Sequence, residues 1–135
     1  MTSSGWDARL DPSVEIMNMQ ICKIFECISI IQDGIVDTQQ SCSNINSLLE
    51  QLEQLCQMHF LFEEKLLEEL EFPSVEEQAQ LHDLFLKAIN QLKTEKDHCH
   101  TPAFFDDFIQ LRVDFVSNMN KETMMLCDMI INNCS

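Results

Sequence analysis

Apolar residues recur every three or four positions through most of the chain, and the recurrence breaks only at a few polar or proline-marked stretches. From about Ser13 to Asp33 the positions Val14, Met17, Ile21, Ile24, Ile28 and Ile31 are spaced 3, 4, 3, 4 and 3. That is the stripe of a helix packed in a bundle, and Gly34 reads as its C-terminal stop. Residues 1–12 read as an extended arm whose large apolar groups are Trp6 and Leu10, with Trp6 packing on the bundle end. A polar connection from Asp37 to Asn46 precedes a second helix, which Ser41, Ser43, Asn44 or Ser47 could each cap. Its inward stripe is Leu48, Leu52, Leu55, His59, Phe62, Leu66 and Leu70.

Glu71 to Ser74 predicts a tight reversal. Pro73 cannot continue a helix, and Ser74 with Glu77 three residues later forms a capping box for the next one. The third helix is expected over Val75–Lys93 with the stripe Val75, Gln78, His82, Phe85, Ile89 and Leu92. Thr94 to His100 is a charged loop. Thr101-Pro102 is a cap and first-turn pair for a fourth helix that runs nearly to the C-terminus, with Phe108, Leu111, Phe115, Met119, Glu122 and Leu126 on its stripe. Four helices with short links predict one all-α domain over residues 13–135, an up-down-up-down antiparallel four-helix bundle.

Composition agrees. A chain of 135 residues with 45% hydrophobic content suits one domain, and two glycines, three prolines and no tyrosine argue against a sandwich or barrel. The net charge is −15, with nine glutamates against one lysine between Glu50 and Glu77. So acidic a surface repels nucleic acid and anionic lipid, and most of these glutamates read as a solvated helix face. No stretch approaches a membrane span, and the N-terminus lacks a signal pattern. Seven cysteines, an odd number without a CxxC pair, read as reduced thiols of a cytoplasmic protein.

Candidate chemistry concentrates on the second and third helices. His59 and Glu63 are four residues apart and share a helix face. The hairpin at Pro73 carries His82 and Gln78 back towards them. Two histidines and a carboxylate suit iron or zinc when water completes the shell. Cys56 with Met119 and Met124 would extend the same region to copper(I), although sulfur at helical core spacing is ordinarily packing. His98, Cys99 and His100 are a compact donor triplet, read as incidental in an exposed loop. Asp106 and Asp107 are adjacent, so they diverge by about 100° on a helix and do not form a catalytic pair. No phosphate loop or nucleophile elbow is present, and nothing points to an enzyme.

The segment His59, Glu63, Gln78, His82, Asp83 resembles the most distinctive stretch of the hemerythrin family, in the family spacing, with Gln78 where the family has a histidine. Trp6, Met17, Asn18, Gln20, Lys23, Ile24 and Phe25 fall in register with the family's first helix, and Ile21 takes its ligand-histidine position. In the fourth helix Phe115, Val116, Ser117, Asn118 and Met119 match the Trp-Leu-x-x-His element, with Met124 at the following aspartate. The resemblance implies a hemerythrin-like bundle in which five histidines and two carboxylates would hold two irons. Here the four positions Ile21, Gln78, Met119 and Met124 are replaced, and His59, Glu63 and His82 remain. The first histidine and the one matched by His82 would serve different irons, with the glutamate bridging them. One histidine per iron is far short of a working shell.

The expectation is therefore a degenerate di-iron site refilled by apolar side chains, with no cofactor. The chain would be a small cytosolic binding or structural protein whose protein partner, if it has one, is unknown, not a dioxygen carrier. The alternative is a metal-binding, redox-sensing or oxygen-sensing bundle retaining a reduced site at His59, Glu63 and His82 for iron or, less favourably, zinc.

Overall fold

The computed structural model describes residues 10–133, and the side chains of residues 12–119 and 121. Among these the regular structure is all helix: α1 Leu10–Val36, α2 Cys42–Glu69, α3 Val75–Thr94 and α4 Pro102–Asn133. Each helix packs against its chain neighbours and α1 packs against α4, while the diagonal pairs do not approach closely. Four helices arranged this way make a closed ring around one interior, consistent with a four-helix bundle. No helix among the described residues is long and apolar enough to cross a membrane. Trp6 and the expected arm lie outside the described residues, except that α1 already begins at Leu10. Pro12 falls in its first turn, where a missing N–H breaks no helical bond.

The ends of the helices correct several expectations. Gly34 does not stop α1, which continues to Val36. It is a buried contact point instead: a Cβ built on it would lie 2.5 Å from Ile45 Cδ1 of α2. The connection before α2 is shorter than expected. Ser41 is the cap, accepting from the Asn44 N–H at 3.1 Å. Ser74 occupies the N-cap of α3 but its side chain makes no capping hydrogen bond, so the expected capping box is not formed. At α4 the expectation holds, with the Phe104 N–H donating to Thr101 Oγ1 at 3.2 Å.

α2 ends in a Schellman turn. The Phe72 N–H donates to Leu67 O at 2.9 Å, the Glu71 N–H donates to Glu68 O at 3.0 Å, and Glu71 sits at φ 55°. Glycine normally takes that left-handed position, because a Cβ there is crowded. Glu71→Gly should therefore raise stability by about 1 kcal/mol, read as a higher thermal midpoint. An unchanged or lower midpoint would contradict this account of the turn.

The interior is layered. The larger apolar cluster includes Ile24, Ile28, Ile31, Leu49, Leu52, Phe60, Phe85, Ile89, Phe108 and Phe115. A smaller one gathers Met17, Leu66 and Leu67, flanked by Phe62, Leu70, Phe72 and Val75. Fully burying each such aliphatic side chain contributes roughly 1.5–3 kcal/mol, so the larger cluster dominates the fold. Between the two, at the level of Gln20 on α1, His59 and Glu63 on α2, and Gln78 and His82 on α3, the core is polar.

Candidate metal-like centre and a second cysteine cluster

Each member of the polar layer is placed by its helix register. The buried line of α2 is Ile45, Leu49, Leu52, Cys56, His59, Phe60, Glu63, Leu66 and Leu67, turned slightly from the expected stripe, since Leu48, Leu55, Phe62 and Leu70 are only half-buried. The turn moves Glu63 from the edge of the inward face to its centre. On α3 the expected positions Gln78, His82, Phe85, Ile89 and Leu92 are all buried. His59 and Glu63 are both 0% exposed, and His82 is 3% exposed.

The geometry centres on the Glu63 carboxylate. His59 Nε2 lies 3.3 Å from Oε2, and His82 Nε2 lies 3.3 Å from Oε1, so each oxygen faces a different imidazole. The other ring nitrogens are held from outside: His59 Nδ1 is 2.9 Å from Gln20 Oε1, and His82 Nδ1 is 2.8 Å from Glu64 Oε2. With Nδ1–H donating to Gln20, the lone pair of His59 Nε2 meets a carboxylate oxygen. Two acceptors at that distance repel unless a proton or a cation lies between them. The His82 ring is also stacked on Phe60, with centroids 4.0 Å apart and planes 3° from parallel. A surface cleft of about 310 Å³ between α2 and α3 reaches Glu64 and His82.

Gln20 and Glu64 belong to this site, and neither was among the expected site residues. Glu64 is one member of an acidic run with no periodic signal of its own. Gln20 falls in register with the first-helix element of the resemblance, but it lies beside the inward Ile21 and nothing in its spacing marks it as a site residue. Of the positions that the hemerythrin resemblance would count as replaced, Gln78 is 2% exposed, Met119 is 4% exposed within the larger apolar cluster, and Ile21 packs against that cluster while half-buried. Met124 lies outside the described side chains.

These residues do not fit a di-iron group. Ile21 and Met119 supply hydrocarbon where ligands would be needed, and one carboxylate is too little charge for two divalent ions in a dry core. Nor do His59, Glu63 and His82 together bring three donor atoms within 4.8 Å of one another. Among the described residues the only set of three donors gathered within 4.8 Å of one another is Cys42, Cys99 and His100. Copper(I) is disfavoured at Cys56, whose fully buried thiol is pushed up in pKa by burial first and then by Cys27 and Glu53, away from the thiolate that metals bind.

That other cluster overturns two expectations. Cys42 and Cys99 are joined by a disulfide across 57 positions, so they are not reduced thiols here, while Cys22, Cys27 and Cys56 are free. The triplet His98, Cys99, His100 is not incidental either, although His98 is exposed as expected. Cys99 is buried, and His100 donates from both ring nitrogens, Nδ1 to Ile35 O at 2.8 Å and Nε2 to Gln40 O at 2.7 Å. Those two carbonyls, at the end of α1 and in the loop after it, hold its pKa above the ordinary value. Disulfides are rare in a reducing cytosol, so the cytoplasmic expectation loses the support it drew from the cysteines.

Asp106 and Asp107 are both exposed. Comparison with protein-family models, with curated proteins and with solved structures gave no match.

Proposed function

We propose that the chain is a hemerythrin-like, up-down-up-down bundle whose metal site has decayed to a buried carboxylate–histidine layer. In this reading it is a small non-enzymatic binding or structural protein and not a dioxygen carrier. The observation that carries the reading is the division of Glu63 between His59 and His82, one oxygen each, with Ile21 and Met119 packed as hydrocarbon. A shared proton satisfies that layer, whereas iron would lack most of its ligands. A cytoplasmic setting belongs to the same reading on condition that Cys42 and Cys99 are reduced there.

A second reading, a retained metal-binding or redox-sensing site, is favoured by one observation. His59 Nε2 is buried without a hydrogen bond, 3.3 Å from a carboxylate oxygen, and both Nδ1 atoms are tied to outer partners. Ligands about 2.1 Å from one ion, set roughly 90–109° apart, lie at about that separation, and outer partners of this kind orient metal-bound histidines.

Metal analysis separates the two. Protein produced with abundant iron should carry less than about one tenth of an equivalent of iron and show no oxo-bridged di-iron absorption. Near-stoichiometric iron or zinc that disappears in His59→Ala would replace the first reading with the second.

A further inference from the structure

The Cys42, Cys99 and His100 cluster lies away from the polar layer, where α1 ends, α2 begins and the loop between α3 and α4 folds back. We propose that these three side chains form a redox-gated zinc site: closed as a disulfide when oxidised, and binding one Zn²⁺ through two thiolates and one imidazole nitrogen when reduced.

Four observations support this. The three donor atoms already lie within 4.8 Å of one another, and the two cysteine Cα atoms are 5.5 Å apart. Tetrahedral zinc with bonds of about 2.3 Å needs its two sulfurs roughly 3.7 Å apart, a separation that side-chain rotation on these backbones can supply. The Cys99 N–H points at Cys42 Sγ from 3.3 Å, and Cys42 is the first residue of α2. An amide donor and a helix N-terminus both stabilise negative charge on that sulfur. His100 is held on two backbone carbonyls. On metal binding one nitrogen would release its carbonyl and its proton and turn its lone pair to the ion. The other would keep its carbonyl and orient the ring, as a metal-bound histidine requires. Zinc is favoured over harder ions by the two sulfurs, and water would take the fourth position.

The chemistry balances with a phosphine as reductant. The disulfide takes up two electrons and two protons to give two thiols, and the phosphine leaves as its oxide with the oxygen of water. Zn²⁺ then displaces three protons, one from each thiol and one from the His100 nitrogen that binds it.

The test uses the full chain, reduced with a phosphine and moved into metal-free, oxygen-free buffer. Zn²⁺ is titrated against a chromophoric chelator, and Co²⁺ reports the ligand set by its thiolate charge-transfer band. The reduced chain should bind one tight zinc and show that band, and the oxidised chain should show no band. Cys42→Ser should weaken zinc binding by roughly 100-fold or more and remove the band, and His100→Gln should weaken it by about 10-fold or more. No band in the reduced chain overturns the proposal, as does a band unchanged in Cys42→Ser, which would place the metal on other cysteines. Should reduction alone lower the helical circular dichroism, recovery on adding one equivalent of Zn²⁺ to the wild-type chain but not to His100→Gln supports the site, and no recovery overturns it. The band also separates this site from the His59, Glu63 and His82 layer, which offers nitrogen and oxygen.

Discussion

Glu63→Ala should lower the free energy of unfolding by about 3–5 kcal/mol, a large fraction of the roughly 5–15 kcal/mol that holds a small domain folded. The change leaves His59 and His82, 0% and 3% exposed, facing each other across an empty place without the carboxylate that both address. A buried polar group costs its full desolvation when its partner is removed. Replacing the whole layer should do far less harm. In the triple variant His59→Met, Glu63→Leu, His82→Met these three positions become hydrocarbon and Gln78 is, among the described residues, the one polar side chain left buried in the layer, while Gln20 and Glu64, both only half-buried, turn back to water. Its loss should be at least about 2 kcal/mol smaller than that of Glu63→Ala alone. Urea denaturation followed by circular dichroism measures both. Equal losses in the single and triple variants would mean that the three side chains are not energetically coupled.

Opening the Cys42–Cys99 bridge should cost about 4 kcal/mol. The chain-entropy estimate is about 3 kcal/mol for a 15-residue loop and 4.7 for a 100-residue loop, and this bridge spans 57 positions. The loss should appear as a lower urea midpoint for the reduced protein in the presence of a chelator. The paired change Cys42→Ser, Cys99→Ser should have a similar midpoint, and reductant should then have no further effect on it. The bridge joins the start of α2 to the loop between α3 and α4, and the adjacent His100 ties that loop to the end of α1. Three chain segments are thus fastened at one end of the helices. Identical unfolding of reduced and oxidised protein would refute this account.

Helical periodicity made much of the fold legible. Five of the six expected α3 stripe positions, Gln78, His82, Phe85, Ile89 and Leu92, are buried and Val75 is half-buried, and Thr101-Pro102 starts α4. Four expectations fail for physical reasons. Gly34 has the composition of a helix stop, but its lack of a side chain is used to let Ile45 approach. Ser74 and Glu77 have the spacing of a capping box, yet the preceding Schellman turn fixes the entry of the chain and the serine side chain does not cap. The expected α2 stripe rests mostly on leucines, but both flanks of that helix carry leucine, so apolarity alone does not fix which line faces inward. Cysteine count and spacing suggested free thiols because pairing across 57 positions leaves no local mark.

By itself the sequence determined four amphipathic helices, roughly where they break, and the inward placing of His59, Glu63, Gln78 and His82, because a residue's face follows from its spacing along one helix. Tertiary structure alone decided that Glu63 gives one oxygen to each histidine, that Gln20 and Glu64 hold the outer nitrogens, and that Cys42 meets Cys99 beside His100. Those contacts depend on how far each helix is rotated and shifted along its neighbour. That offset is set by packing across the whole interior and not by the spacing of residues along any one helix.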